Sequence, residues 1–114
     1  MGIRSMWPPI DPGSLEVQVS AYVIVNVKVL DPDTYKEYVK QSPATISAHG
    51  GRFLARAGKT EVLEGDAAAN RVVILEFPSY ERAREWWNSE AYRLPKALRQ
   101  SASEASMILV DGVQ

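Results

Sequence analysis

Glu76 and His49 are the residues of this sequence best suited to acid–base chemistry, and Tyr22, Asn26, Arg56 and Trp86 are those best suited to holding a substrate. A carboxylate among apolar neighbours can take up or release a proton, while an arginine beside it orients an anion. Asn26 and Tyr22 would donate hydrogen bonds to the same molecule, and the indole would give it an apolar wall. His49 is the single histidine, and imidazole has an ordinary pKa near neutrality, about 6.5.

Each of these residues also has a structural reading. Glu76 and Arg56 can form an ion pair that fixes strand register or a subunit seam, with Asn26 as a satisfied amide. His49 stands near the end of a predicted helix, where a cationic side chain caps carbonyls and the dipole favours it. Trp86 and Trp87 are adjacent on a predicted helix and point about 100° apart, so one packs on the sheet and the other lines a cleft mouth or a partner surface.

Alternation and helical spacing set the elements that must position these groups. In AYVIVNVKV, residues 21–29, Val23, Val25, Val27 and Val29 share one face of a strand and Tyr22, Ile24, Asn26 and Lys28 the other. Asp31 caps the following helix with Pro32 at its first position, and Pro43 is expected to bend or break it near Ser42. Gly50 ends it. RFLARAG is the next strand, with Phe53 and Ala55 on one face and Arg52, Leu54 and Arg56 on the other, and TEVLE resumes it after Gly58.

RVVILEF, residues 71–77, separates Val73, Leu75 and Phe77 from Val72, Ile74 and Glu76. Ser79 caps a helix carrying Trp86 and Trp87, Ser89 caps a further one, and Pro95 is expected to force a kink or restart. SMILVDG closes the domain as a strand. Strand, helix, strand, strand, helix, strand is the ferredoxin-like split arrangement, an α+β fold with a four-stranded antiparallel sheet and its helices on one side. The other face then carries Ile24, Leu54, Val72 and Ile74, too large an apolar patch for a soluble monomer, which implies a homodimer packed sheet to sheet.

Composition narrows the function classes. A chain of 114 residues is one small domain that buries about 60 to 70% of its unfolded surface. A net charge of −1 supplies no field for a phosphate backbone or an anionic membrane, so neither nucleic acid nor membrane is an expected partner. The absence of cysteine excludes disulfides and thiolate chemistry, and with one histidine no metal site is expected. No apolar run approaches the ~20 residues of a membrane span, and the first 20 residues lack a secretory core, so a cytoplasmic protein is expected. Residues 1–20, with PPIDPG, are expected to be a poorly ordered extension, leaving 21–114 as the folded domain. GRFLARAGK lacks the spacing of a nucleotide loop, and a lone histidine is a poor basis for haem, so no cofactor is expected.

The segments YVIVNVKVLDPDTYKEY, HGGRFLARAGKTEVLEG and RVVILEFPS, and SEAYRLPKALR with its final ILVDG, together resemble the family catalogued as domain of unknown function 1330. The resemblance covers residues 21–113 and implies the dimeric α/β barrel, in which two ferredoxin-like units pair their sheets. It implies no reaction, and chemistry borrowed from the wider barrel group, which includes cofactor-free oxygenases, is analogy. The combined reading is a homodimer that binds a small, apolar-to-anionic metabolite between sheet and helices or at the barrel seam. Cofactor-free acid–base or oxygenation chemistry is one version of it, and a non-catalytic ligand-binding or structural dimer is the other.

Overall fold

Valine at every second position of β1 (Ala21–Val29) gives the strand one uniformly apolar face, and that face carries the helices. The computed structural model describes residues 19–66, 68 and 70–113, so the predicted extension lies almost wholly outside the described residues. Beyond β1 the chain forms α1 (Pro32–Ala48), β2 (Arg52–Arg56), β3 (Arg71–Phe77), α2 (Tyr80–Trp87), α3 (Glu90–Ala102) and β4 (Ser103–Asp111). The sheet runs β2-β3-β1-β4, every neighbouring pair antiparallel, which is the ferredoxin-like order with a second helix added to the second crossover.

The helix starts follow the sequence. The Asp31 carboxylate accepts from the Thr34 amide at 3.2 Å, Ser79 Oγ from the Arg82 amide at 3.1 Å, and Ser89 Oγ from the Tyr92 amide at 3.1 Å. At prolines 43 and 95 the helix neither breaks nor restarts. α1 continues through Pro43 and α3 through Pro95. A proline inside a helix loses one hydrogen bond and crowds the preceding turn at about 3 kcal/mol. Here the buried Tyr35, Tyr38 and Ile46 anchor α1 on both sides of the interruption, and Pro95 is itself buried between Tyr92 and Arg99. Burial of whole side chains on both sides outweighs one missing bond.

TEVLE does not resume β2. The strand ends where Ala57 adopts φ 57° and its amide donates to the Val72 carbonyl at 2.8 Å, turning the chain away from the sheet. β4 begins earlier than SMILVDG, directly after the last residue of α3 with no loop between them. The Ala102 carbonyl there accepts from the Leu30 and Asp31 amides at 2.8 and 3.0 Å, joining the end of α3 to the start of α1.

The core lies between the helices and Val23, Val25, Val27, Val73, Leu75 and Phe77. Trp86 is its centre: its ring lies 4.2 Å from that of Tyr92 and 5.4 Å from that of Phe77, centroid to centroid. Gly51, which leads into β2 after Gly50 at φ 78° has followed α1, has no room for a side chain. A Cβ there would stand 2.6 Å from Phe77 Cε1 and 2.8 Å from Ile46 Cγ2, both buried and unable to yield. Gly51→Ala is therefore expected to lower stability by about 1–3 kcal/mol. Gly58→Ala, with nothing within 4 Å of its Cβ, should change it by less than about 0.5 kcal/mol. Urea unfolding of the two variants beside the parent checks both.

Candidate functional site

The register sorts the candidate residues onto two faces. On the face away from the helices, Glu76 of β3 stands between Tyr22 of β1 and Arg52 of β2. Glu76 is 2% exposed, and its Oε1 accepts from Arg52 Nε at 3.1 Å and Nη2 at 3.0 Å. The partner of Glu76 is thus Arg52, not Arg56 as alternation implies. The cause is a bulge in β2: Phe53 pairs with Leu75 but Ala55 pairs with Ile74, so Leu54 is the extra residue and every later side chain changes face. Arg56 falls opposite Val73, on the helix side, with its guanidinium 4.3 Å from the Phe53 ring centroid.

Asn26 also lies on the open face and serves the chain around it. Its Nδ2 donates to the Ala68 carbonyl at 2.7 Å and its Oδ1 accepts from the Asn70 amide at 3.2 Å, so it pins the β2–β3 connection to β1. His49 is the C-cap of α1. Its Nδ1 lies 2.9 Å from the Thr45 carbonyl, which can only accept, so that nitrogen carries the proton. Trp86 is in the core, 1% exposed, with Nε1 donating to Thr45 Oγ1 at 3.0 Å. Trp87 is half-buried, and the Lys96 ammonium sits 4.1 Å above its ring.

Between sheet and helices is a cavity of about 30 Å³, bounded by aromatic and aliphatic side chains and by Arg56, Arg71 and Arg99. Such a volume holds roughly two waters. Of the predicted site residues only Arg56 and Trp86 line it; Tyr22, Asn26, His49 and Glu76 do not. Tyr35 and Tyr38 of α1 form one wall, their rings 5.5 Å apart. The Tyr38 and Tyr92 hydroxyls share a hydrogen bond at 2.8 Å. Burial, and then the adjacent Tyr92, push the Tyr38 phenol well above its ordinary range, so it stays a neutral hydroxyl. Two neighbouring clefts share the cavity's residues: one of about 290 Å³ includes Arg99, Met107 and Trp87, and one of about 420 Å³ runs between α2 and β4 past Trp86 and Met107.

Arg71 and Arg99 were not among the predicted site residues, yet the sequence contains their signal. Arg71 begins the apolar face that continues through Val73, Leu75 and Phe77, and Arg99 shares a helical stripe with Tyr92, Pro95 and Ala102. A cation on a stripe that must be buried is a residue out of place for packing. Among the described residues, no three of His, Cys, Asp and Glu converge as a metal site would require, and no helix is long and apolar enough to cross a membrane.

The fold is shared with a protein of unknown function from Rhodopseudomonas palustris, RPA0582, at TM-score 0.71 and 19% identity over 86% of this chain and 85% of that one. It is also shared with SnoaB, a cofactor-independent oxygenase from Streptomyces nogalater, at TM-score 0.57 and 13% identity over 86% of this chain and 96% of the other. No curated protein matches the sequence significantly. The model of a domain of unknown function, DUF1330, matches residues 20–113, nearly the whole of the described fold, and the chain belongs to that family.

Proposed function

We propose that the protein is a homodimer that binds a small metabolite on the helix side of its sheet, in the cavity between sheet and helices and the cleft beside it. The observation that carries this reading is the convergence of polar groups from β2, β3, α1 and α3 on one otherwise apolar cavity. Binding sites have that composition: apolar walls with a few placed polar groups. The open sheet face supports the pairing. Ile24, Ile108 and Val110 lie together on it by register, 41, 60 and 42% exposed, and a second copy of the same face would cover them.

This reading divides the predicted residues by role. Arg56 and Trp86 border the ligand, whereas Glu76, Arg52, Tyr22 and Asn26 belong to the face that pairs and to the loop it holds. Neither predicted acid–base residue reaches the cavity, so the geometry favours binding over catalysis by Glu76 or His49. The likeness to SnoaB is one of fold, and oxygenation enters only as a reaction for which turnover of a captured ligand can be assayed.

Thermal unfolding of the full chain against a panel of small metabolites tests the binding. A ligand at about 100 times its dissociation constant adds ~2.7 kcal/mol, which for a domain of this size raises the midpoint by roughly 10 °C. A panel without any such rise removes the reading. Glu76→Gln is expected to leave a ligand's shift unchanged; its loss would return Glu76 to the site. In sedimentation velocity the parent should run as a dimer and Ile108→Lys as a folded monomer, because a lysine there would face apolar surface on the partner. A monomeric parent would overturn the pairing.

A further inference from the structure

Arg99 is the least expected residue of the core. It is 4% exposed, and the one hydrogen bond its side chain makes among the described residues is from Nε to the Tyr92 hydroxyl, long at 3.4 Å. Its guanidinium carbon lies 5.9 Å from the Tyr38 ring centroid. Arg71, the second cation of the cavity, stands 5.4 Å from the Tyr35 ring centroid, and its Nε is buried without any hydrogen-bond partner. Arg56 completes the set on the β2 side. No Asp or Glu lines the cavity, and none pairs with these three arginines among the described residues. The other arginine of β2 shows the contrast, since Arg52 has Glu76. A guanidinium taken out of water without a counter-charge is costly, and a buried N–H without an acceptor adds to that.

We infer that the missing counter-charge is the ligand's: the cavity takes the carboxylate of a small organic acid, held by Arg99 and Arg71, with the apolar body of that acid lying in the outer cleft against Trp87 and Met107. This rests on the binding reading above and gives the class of its ligand. Size favours a carboxylate, because a cavity of about 30 Å³ admits a flat two-oxygen group, and its two oxygens match the guanidinium fork. Position favours a molecule that reaches outward, because Arg99 and Met107 line both the cavity and the cleft of about 290 Å³, where Trp87 offers a ring to an apolar body. The protonated Tyr38 hydroxyl presents no competing negative charge.

The test is titration calorimetry of the full chain with benzoate, benzamide and inorganic phosphate at matched ionic strength, together with thermal unfolding in each. Benzoate is expected to bind saturably and raise the midpoint, benzamide and phosphate to do neither. Arg99→Met should weaken benzoate at least about tenfold, and its unliganded midpoint should not fall below the parent's, because an uncompensated cation has been removed. Should that variant not fold, Arg71→Met, at a half-buried position, carries the same expected loss of benzoate affinity. Arg52→Gln, on the opposite face, should bind benzoate as the parent does. Equal binding of benzamide, equal binding of phosphate, or full benzoate affinity in both arginine variants overturns the carboxylate assignment while leaving the cavity as a binding site. Absence of binding by benzoate overturns it too, and absence of any response across the metabolite panel removes the binding reading itself.

Discussion

The pairing of β1 with β3 sets Val23 against Leu75, Val25 against Val73 and Tyr22 against Glu76, and the two faces created by that register organise the rest of the molecule. One face is apolar at each of these steps and receives all three helices; the other mixes isoleucine with an amide and an ion pair whose carboxylate is buried. A slip of one residue would exchange the two sets, bringing Glu76 under Trp86 and exposing Leu75. The side taken by the helices, the cavity between them and the sheet, and the faces of Glu76 and Arg71 all follow from that one alignment.

Much of this was legible in the sequence because it depends on local periodicity. Valines at every second position of β1, capping residues Asp31, Ser79 and Ser89, and the order of strands and helices each have a short-range cause, and together they define the ferredoxin-like arrangement. For the complementary reason, the break or restart that prolines 43 and 95 allow does not occur. Their local effect is to end a helix, but the surrounding burial that keeps the helix going is a property of the whole fold.

The site was legible only in part, and the bulge at Leu54 explains why. Alternation is reliable until a strand gains one unpaired residue, and nothing in RFLAR announces that it will. Glu76 was rightly expected to need a cation, but the cation is Arg52, and Arg56 passed to the opposite face. Arg71 and Arg99 were overlooked because positive charge is ordinary in a sequence and becomes conspicuous only when the neighbouring positions are known to be buried. His49 and Trp86, rare residue types that attract attention in a sequence, hold the end of α1 and the centre of the core.

The junction between α3 and β4 gives the chain an uneven tolerance of length. Helix becomes strand from Ala102 to Ser103 without a spare residue, and the same Ala102 carbonyl holds the entry to α1. One residue gained or lost there has nowhere to be absorbed: it either turns α3 by about 100° about its axis or reverses the two faces of β4. The connection between β2 and β3 absorbs such changes outside the sheet and ends at a pin formed by Asn26. Natural variation in chain length should therefore accumulate between β2 and β3, while the step from 102 to 103 stays fixed and acts as the molecule's ruler, setting β4 against β1 and Arg99 against the cavity at once.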